Sequence, residues 1–320
     1  MKVLLTYDME PKYLAQLKEI LKDGELVLKK GKEIRDEDVL TANVILGNPP
    51  KTRLNENADL GLVALNSAGS TDYCEKGVLP DSTVLTNATG AYGIIISEWM
   101  SGMILNIMNR FPEYRENQKE GLWKRNMAER QHIYGAKVLI LGTGNIGSEF
   151  AKRMKAFGAV TIGVRRSSTK SVEFFDEIHL NSELDELIPE ADIIAMCLPG
   201  TDKTAHIMSR ERIFSMKKTA IIINVGRGTA IDTDALNDAL REGAIAACGL
   251  DVTDPEPLPQ EHPLWKAPNA YITPHISGGM NSPVSRRVIA EVAVNNVKAY
   301  LGQGEYRNIV DRETGYKISE

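Results

Sequence analysis

Short apolar runs alternate with segments of helical periodicity along most of the chain. In the first hundred residues the apolar runs are three or four residues long, and polar–apolar segments such as residues 13–21 separate them. A repeated order of strand, helix and strand predicts right-handed crossovers and a parallel sheet. The predicted strands of this first series are residues 3–5, 26–28, 44–46, 62–65 and 83–85.

A second series of apolar runs begins at residue 138. Its members are apolar without alternation, which is expected when helices cover both faces of a sheet. The predicted strands are residues 138–141, 160–164, 193–196, 221–223, 245–247 and 271–273. The pattern therefore predicts two α/β units with parallel sheets.

Two long helices are predicted beside these series. An apolar stripe at helical spacing predicts one over residues 98–111, buried nearly all round by a subunit interface or by an interdomain core. Ser282 and Pro283 predict the start of another, which runs to Leu301. If this helix returns to the first unit, one domain comprises residues 1–97 plus 285–320, and the other comprises residues 98–284.

Composition narrows the class of protein. The 320 residues are 42% hydrophobic and 25% charged, with a formal net charge of −5 and no basic stretch, so we expect no nucleic-acid partner. The N-terminus lacks the pattern of a signal peptide, and Glu98 interrupts the most apolar segment, so we expect a cytoplasmic protein without a membrane span. The three cysteines are unclustered, which argues against a disulfide framework and against a metal site.

A glycine-rich turn over residues 142–147 joins the first strand of the second series to a predicted helix. In a dinucleotide-binding turn, Gly142 would permit the tight turn, Gly144 would let the backbone approach a pyrophosphate, and Gly147 would let helix and strand pack closely. The alternative is a glycine turn without a ligand. The flanking strand and helix favour the dinucleotide.

The end of the next strand bears on which dinucleotide is used. An acidic residue there would bind a ribose 2′-hydroxyl, but this chain has Arg165, Arg166 and Ser167. A guanidinium can bind a 2′-phosphate through charge-assisted hydrogen bonds. The sequence predicts a preference for NADP(H), with NAD(H) possible; a solvated arginine pair at a strand end is the alternative.

Three further segments follow strands of the second series, and they contain Arg227, Glu256 and His275. Each segment alone is more often structural than functional. Together, and in this order after the glycine turn, they make the chain similar to the D-isomer-specific 2-hydroxyacid dehydrogenases. The resemblance extends to residues 198–201 and to residues 66–72.

The resemblance implies a role for each of these residues. Arg227 would grip the substrate carboxylate and its C2 oxygen, and His275 would be the general acid in reduction. Glu256 would pair with His275, because a nearby carboxylate favours an imidazolium. The backbone amides of Ala68 and Gly69 would hold the other side of the carboxylate.

The family also implies the architecture and the remaining contacts. We expect two Rossmann/flavodoxin-like domains with a cleft between them, and a homodimer through the helix of residues 98–111. Asp251 would bind the nicotinamide carboxamide, and Asn48 either binds a polar group of the substrate or forms a plain turn. The other residues expected at the cofactor are Asn145, Ile146, Pro199, Thr204 and Val225.

The leading hypothesis is reduction of a small 2-ketoacid to a D-2-hydroxyacid with NADPH. The chain resembles glyoxylate/hydroxypyruvate reductases or a short phosphoglycerate dehydrogenase. One rival is a dinucleotide-sensing co-regulator without turnover. Another is oxidation of formate or phosphite; formate enzymes pair their histidine with glutamine, whereas this chain offers Glu256.

Overall fold

The chain is divided into two compact units. The structure, a computed structural model, describes residues 1–125, 129–313 and 315–318. Unit 1 comprises Met1–Tyr92 together with Gly279–Glu320, and unit 2 comprises Gly93–Gly278. Unit 1 is therefore built from both ends of the chain.

Unit 1 contains a five-stranded parallel sheet. Its strands are β1 (Lys2–Leu5), β2 (Glu25–Leu28), β3 (Val44–Leu46), β4 (Leu62–Ala64) and β5 (Val84–Thr86). They lie in the order β2-β1-β3-β4-β5. The helices are α1 (Pro11–Leu21), α2 (Asp36–Leu40), α3 (Thr71–Cys74) and α10 (Pro283–Tyr300), and a short antiparallel pair, β13 (Val310–Asp311) and β14 (Tyr316–Lys317), follows α10.

Both faces of the unit 1 sheet are covered, which explains its apolar strands. Val3 and Leu5 pack into a cluster with residues of α1 and α10, whereas Leu4 packs into a second cluster on the opposite face. All three side chains are fully buried. Successive strand residues point to opposite faces, so a strand buried on both sides has no position for a polar side chain except at its ends.

Unit 2 contains a seven-stranded parallel sheet. Its strands are β6 (Lys137–Leu141), β7 (Val160–Arg165), β8 (Glu177–Leu180), β9 (Ile193–Met196), β10 (Ile221–Asn224), β11 (Ala247–Leu250) and β12 (Ala270–Ile272). Their order is β12-β11-β10-β9-β6-β7-β8. The helices are α4 (Gly93–Met108), α5 (Phe111–Lys119), α6 (Asn145–Ala156), α7 (Leu184–Leu187), α8 (Arg210–Ser215) and α9 (Thr233–Glu242).

The strand order of unit 2 reverses at β6. From β6 the chain proceeds outward to β7 and β8, and then returns to β9 on the other side of β6. In an open parallel sheet, ligands bind outside the carboxyl ends of the strands at such a reversal. The predicted α/β class with two parallel sheets is confirmed, and the turn after β6 lies at the switch point.

Two details of the predicted strands needed correction. The strand predicted over residues 245–247 is instead Ala247–Leu250, because the chain first bends after α9 at Gly243, which has a φ of 65°. Strand β8 was not predicted. It is a sheet edge with one exposed and three half-buried residues, so its sequence lacks the apolar signature of its neighbours.

The helix predicted over residues 98–111 was wrong at its C-terminal end. Helix α4 ends at Met108, Arg110 has a left-handed φ of 55°, and Phe111 starts α5 with 57% of its surface exposed. Pro112 stands in the first turn of α5. Proline favours the first turn of a helix and has no N–H to continue a preceding helical turn, so a break ahead of it has a clear cause.

The predicted domain boundaries fall inside helices of the structure. A boundary after residue 97 cuts α4, and a boundary before residue 285 cuts α10, whereas the contacts divide the chain just before α4 and shortly before α10. A helix is held together by its own backbone hydrogen bonds, so it packs as a whole with one unit.

The residues that the structure describes include no helix suited to cross a membrane and no cluster of metal-ligating side chains. None of their helices is both long and apolar enough to cross a membrane. No three of their histidine, cysteine, aspartate and glutamate side chains are grouped as ligands of a metal ion.

Candidate active site

The glycine turn lies between β6 and α6. Gly142 has a φ of 99°, and α6 begins at Asn145 with Gly144 as its N-cap. A Cβ atom on Gly147 would lie 2.0 Å from the carbonyl oxygen of Gly142, whereas a Cβ on Gly144 would meet nothing within 4 Å. Gly147 is therefore required for the packing of the turn, and Gly144 borders open space.

The turn presents a row of free backbone amides. Within the described part of the chain, the amides of residues 143–147 donate to no acceptor. They include the amides of Asn145 and of Ile146, which open the helix. Unpaired amides at a helix N-terminus bind anions, and the helix dipole adds to the attraction. The residues present thus fit the pyrophosphate of a dinucleotide.

Three polar residues lie where β7 ends. Arg165 is half-buried, and Arg166 and Ser167 are exposed. Neither guanidinium forms an ion pair or a hydrogen bond with any residue in the described ranges, so both are available to a ligand. No carboxylate stands at this strand end, as the sequence indicated.

The loop after β9 is held by its own threonine. Thr204 is buried, and its Oγ1 lies 2.7 Å from the carbonyl oxygen of Pro199 and 3.0 Å from the amide nitrogen of Thr201. Val225, also predicted at the cofactor, is buried after β10. The Thr204 hydroxyl is therefore used within the loop, and its first role is to shape the loop that contains Pro199.

Arg227 stands on a loop that a buried asparagine holds. Asn224 ends β10 and is 1% exposed; its Nδ2 donates to the carbonyl oxygen of Arg227 at 2.9 Å, and its Oδ1 accepts from the amide of Gly226 at 3.0 Å. A Cβ on Gly228 would lie 1.9 Å from the carbonyl oxygen of Thr253. The loop thus packs backbone to backbone against the segment that leads to Glu256.

The guanidinium of Arg227 is exposed and lacks an acidic partner in the described residues. Its Nη1 donates only to the carbonyl oxygen of Gly226, at 2.8 Å. A planar guanidinium has five N–H donors, so most of its capacity remains for a carboxylate.

Asp251 organises the loop that carries His275. Its carboxylate is 1% exposed and accepts from the hydroxyls of Thr273 and Ser277 and from the amides of Ile276 and Ser277. Its backbone carbonyl accepts from the amide of His275 at 2.9 Å. Both carboxylate oxygens are thereby satisfied within the protein.

Glu256 and His275 form a hydrogen-bonded pair. The Nδ1 atom of His275 lies 2.7 Å from Oε1 of Glu256, and their side chains are 50% and 42% exposed. His275 has a φ of 54°, an uncommon conformation for a residue other than glycine. The pairing fixes the ring and leaves Nε2 without a partner in the described chain.

In unit 1, Ala68 and Gly69 lie on a turn after β4. Across the described residues, the amides of Ser67, Ala68 and Gly69 donate to no acceptor. Asn48 is exposed after β3, and its Oδ1 accepts from the amide of Asn66 at 3.2 Å and lies 3.4 Å from Oγ of Ser67. Asn48 therefore supports the turn, and its Nδ2 donor has no acceptor among the residues that the structure describes.

Sequence reasoning missed Asn224. The signal available was a polar residue ending a strand of three isoleucines, which an apolar pattern alone does not explain. Arg227, Glu256 and His275 all belong to unit 2, and there the structure brings Glu256 and His275 into direct contact.

Comparisons with known proteins identify the family to which the chain is similar. Residues 101–277 match the family model described as D-isomer specific 2-hydroxyacid dehydrogenase, NAD binding domain. The chain is 33% identical to a glyoxylate reductase of Pyrococcus horikoshii, over 90% of this chain and 86% of the relative. It is 31% identical to a D-3-phosphoglycerate dehydrogenase of Methanocaldococcus jannaschii, over 97% of this chain and 59% of that longer protein.

A solved structure with a D-isomer specific 2-hydroxyacid dehydrogenase name has a similar fold. The D-isomer specific 2-hydroxyacid dehydrogenase of Xanthobacter autotrophicus Py2, in complex with NADPH and MES, superimposes with a TM-score of 0.83. The two chains are 25% identical, and the match covers 98% of this chain and 99% of the other.

The two glycines of the turn make a matched pair of variants. We expect Gly147→Ala to destabilise the protein by roughly 1–3 kcal/mol, because the new methyl group overlaps the Gly142 carbonyl. Gly144→Ala should lower the melting temperature of the ligand-free protein much less, because its methyl group meets open space and only the helix N-cap is altered. Thermal unfolding of both variants checks this, and equal losses would contradict the described packing.

Proposed function

Because this chain belongs to the D-isomer-specific 2-hydroxyacid dehydrogenases, we propose that it reduces small 2-ketoacids to D-2-hydroxyacids and prefers NADPH. Family membership gives the reaction class, which is hydride transfer between a nicotinamide dinucleotide and a 2-hydroxyacid or 2-ketoacid. The observation that carries the proposal is the pairing of His275 with Glu256, which leaves one ring nitrogen free. A protein that only sensed the dinucleotide would have no need of this pair.

The cofactor is assigned to the carboxyl ends of β6 and β7. The free amides of residues 143–147 suit the pyrophosphate, and Arg165, Arg166 and Ser167 suit a 2′-phosphate. The reduced dinucleotide, when bound, supplies the hydride that adds to C2 of the ketoacid. Pro199, Thr204 and Val225 would shape the loops around it.

His275 would supply the proton that completes the reduction. Nδ1 faces Glu256, so Nε2 is the ring nitrogen left for the substrate, and in the imidazolium form the Nε2 proton would pass to the ketone oxygen as that oxygen gains charge. Arg227 would stabilise the same oxygen and one side of the substrate carboxylate. In the reverse direction, His275 would accept the proton of the hydroxyl group.

For Asp251 we propose a positioning role. The resemblance assigns it to the nicotinamide carboxamide, but its two oxygens already accept four hydrogen bonds from the loop of residues 273–277. A further donor would have to compete with these bonds. We therefore assign Asp251 to holding the main chain of His275 in place.

The free amides of Ala68 and Gly69 would bind the substrate carboxylate. Donors without acceptors among the described residues suit an anion. Nδ2 of Asn48 remains free to bind a hydroxyl group on C3. Glyoxylate and hydroxypyruvate are therefore the first substrates to test, and a relative of this chain is named a glyoxylate reductase.

We further propose that the protein is a cytoplasmic homodimer. Helix α4 keeps apolar side chains such as Trp99 and Leu105 partly exposed, which suits a contact with a second copy. The three cysteines of the chain are free thiols, which is typical of proteins in a reducing compartment. Sedimentation analysis should give twice the mass of one chain.

The function is tested by initial rates on a panel of C2 to C6 ketoacids. The wild type should reduce at least one of them, and His275→Ala should lower kcat by roughly 10²- to 10⁴-fold, the usual contribution of one general acid. NADPH affinity should be retained. His132→Ala, which alters an exposed histidine of unit 2, is the control and should keep full turnover.

Two outcomes would argue against this function. Unchanged turnover in His275→Ala would remove this histidine from the mechanism. Tight NADPH binding by the wild type, with no turnover of any ketoacid, would instead favour the dinucleotide-sensing alternative.

The cofactor preference has a separate test. We expect kcat/KM to be higher with NADPH than with NADH, and Arg165→Ala to lower this ratio roughly 10- to 100-fold, since it removes charge-assisted hydrogen bonds to the 2′-phosphate. Arg212→Ala, which removes a half-buried arginine paired with Asp185, is the matched control and should leave the ratio unchanged. A wild-type ratio that favours NADH would refute the preference.

A further inference from the structure

The turn of residues 66–69 in unit 1 has all four of its carbonyl oxygens hydrogen-bonded. The Tyr92 hydroxyl donates to the oxygen of Asn66, and the amide of Ala88 donates to that of Ser67 at 2.9 Å. Nδ2 of Asn87 donates to the oxygen of Ala68 at 2.9 Å, and Oγ of Ser67 donates to that of Gly69 at 2.7 Å. The amides of residues 67–69 have no such partners in the described chain.

This asymmetry fixes the direction of the peptide dipoles. Three of the carbonyls are tied to the body of unit 1 and the fourth to Ser67 of the turn itself, so the N–H groups of the same turn are directed elsewhere. Donors that are held in place before a ligand arrives need no reorganisation when it binds, which is why such groups stabilise anions well. The groups that hold the carbonyls therefore determine where these free N–H donors point.

Among the side chains that hold these carbonyls, that of Asn87 belongs to the most buried residue. It is 2% exposed, and its Oδ1 accepts from the amide of Thr89 at 3.1 Å while its Nδ2 holds Ala68. Burial also raises the pKa of Tyr92 to about 12, so the phenol that holds Asn66 stays protonated near neutral pH. The Asn87 amide and the Tyr92 hydroxyl therefore both remain hydrogen-bond donors near neutral pH.

Asn87 is held in turn by the segment that follows α10. Its amide donates to the carbonyl oxygen of Asn308 at 3.1 Å, and Nδ2 of Asn308 donates to the carbonyl oxygens of Asn87 and Thr89 at 3.1 and 2.8 Å. Asn308 has a left-handed φ of 58°, which asparagine tolerates better than most residues.

The network ends on helix α10. Asn296, which is fully buried, donates from Nδ2 to Oγ1 of Thr86 and to the carbonyl oxygen of Arg307, both at 3.0 Å, and accepts from the amide of Arg307 at 2.8 Å. A chain of hydrogen bonds therefore runs from α10 through residues 307 and 308 to Asn87 and Ala68. Each buried amide group in it is paired, and such a network is rigid.

We propose that Asn87 and Asn308 are positioning residues for the substrate carboxylate, which act by fixing the amides of Ala68 and Gly69. They touch neither substrate nor cofactor. This inference rests on the proposed function, because it assumes that a carboxylate binds these amides. It assigns a role in substrate affinity to a segment more than two hundred residues away in sequence.

The test uses two variants, each of which replaces an asparagine by another uncharged residue and removes its side-chain amide donor. Asn308→Gly keeps the left-handed backbone but loses the side-chain donor. Asn87→Ser can still accept the amide of Thr89 as a serine turn does, but it cannot reach Ala68. We expect each variant to raise KM for glyoxylate and the inhibition constant of oxamate in parallel, roughly 5- to 30-fold. We expect kcat and the dissociation constant of NADPH to change less than twofold.

Asn57→Ser is the matched control. Asn57 is also buried in unit 1, its Nδ2 donates to the carbonyl oxygens of Val39 and Ala42, and its Oδ1 accepts from the amide two residues later. Asn57→Ser should lower the melting temperature about as much as Asn87→Ser does, without changing the KM for glyoxylate. A purely structural role for Asn87 would make the two variants alike.

Calorimetric titration of oxamate in the presence of NADPH separates this inference from the proposed function. If the wild type turned over no ketoacid but bound oxamate, and both variants bound it more weakly, the inference would stand without the proposed activity. Equal oxamate affinity in the wild type and both variants would overturn it. So would an absence of oxamate binding to the wild type, or a KM that rises equally in Asn57→Ser.

Discussion

The hydrogen bonds of the buried Asp251 hold the loops that carry Arg227 and His275 in unit 2. Asp251 lies just past β11 and joins four donors from one loop, so a charge that would be costly to bury is fully compensated. Its own amide donates to the carbonyl oxygen of Asn224, the residue that holds the Arg227 loop. Two neighbouring strand ends thus fix the loops that carry the guanidinium and the imidazole.

Much of this arrangement follows from the sequence because parallel strands restrict where polar residues can stand. The strand, glycine turn and helix around residue 147 were predictable, since their spacing is local. The positions of Arg227 and His275 shortly after strand ends were predictable from the apolar runs that precede them. The pairing of Glu256 with His275 was an implication of that resemblance, and the structure contains it at 2.7 Å.

The supporting residues were not predictable, for a physical reason. Asn87 and Asn308 act on backbone carbonyls, which every residue has, so no complementary side chain marks the partner in the sequence. The partners are also distant: Asn308 and Asn87 are separated by 221 positions. The break after α4 and the polar edge strand β8 escaped the apolar pattern because a break and an exposed edge both lack the continuous burial that the pattern detects.

The orientation of the 66–69 turn has a consequence for selectivity. Its exposed face offers hydrogen-bond donors and no acceptor from its own backbone, since all four carbonyl oxygens are engaged. A carboxylate, which only accepts, complements this face at every contact. An amide or amine of the same size would set N–H against N–H and lose one contact while repelling another. A binding site of this polarity would discriminate against uncharged and cationic analogues through its main chain alone, independently of the size of the analogue.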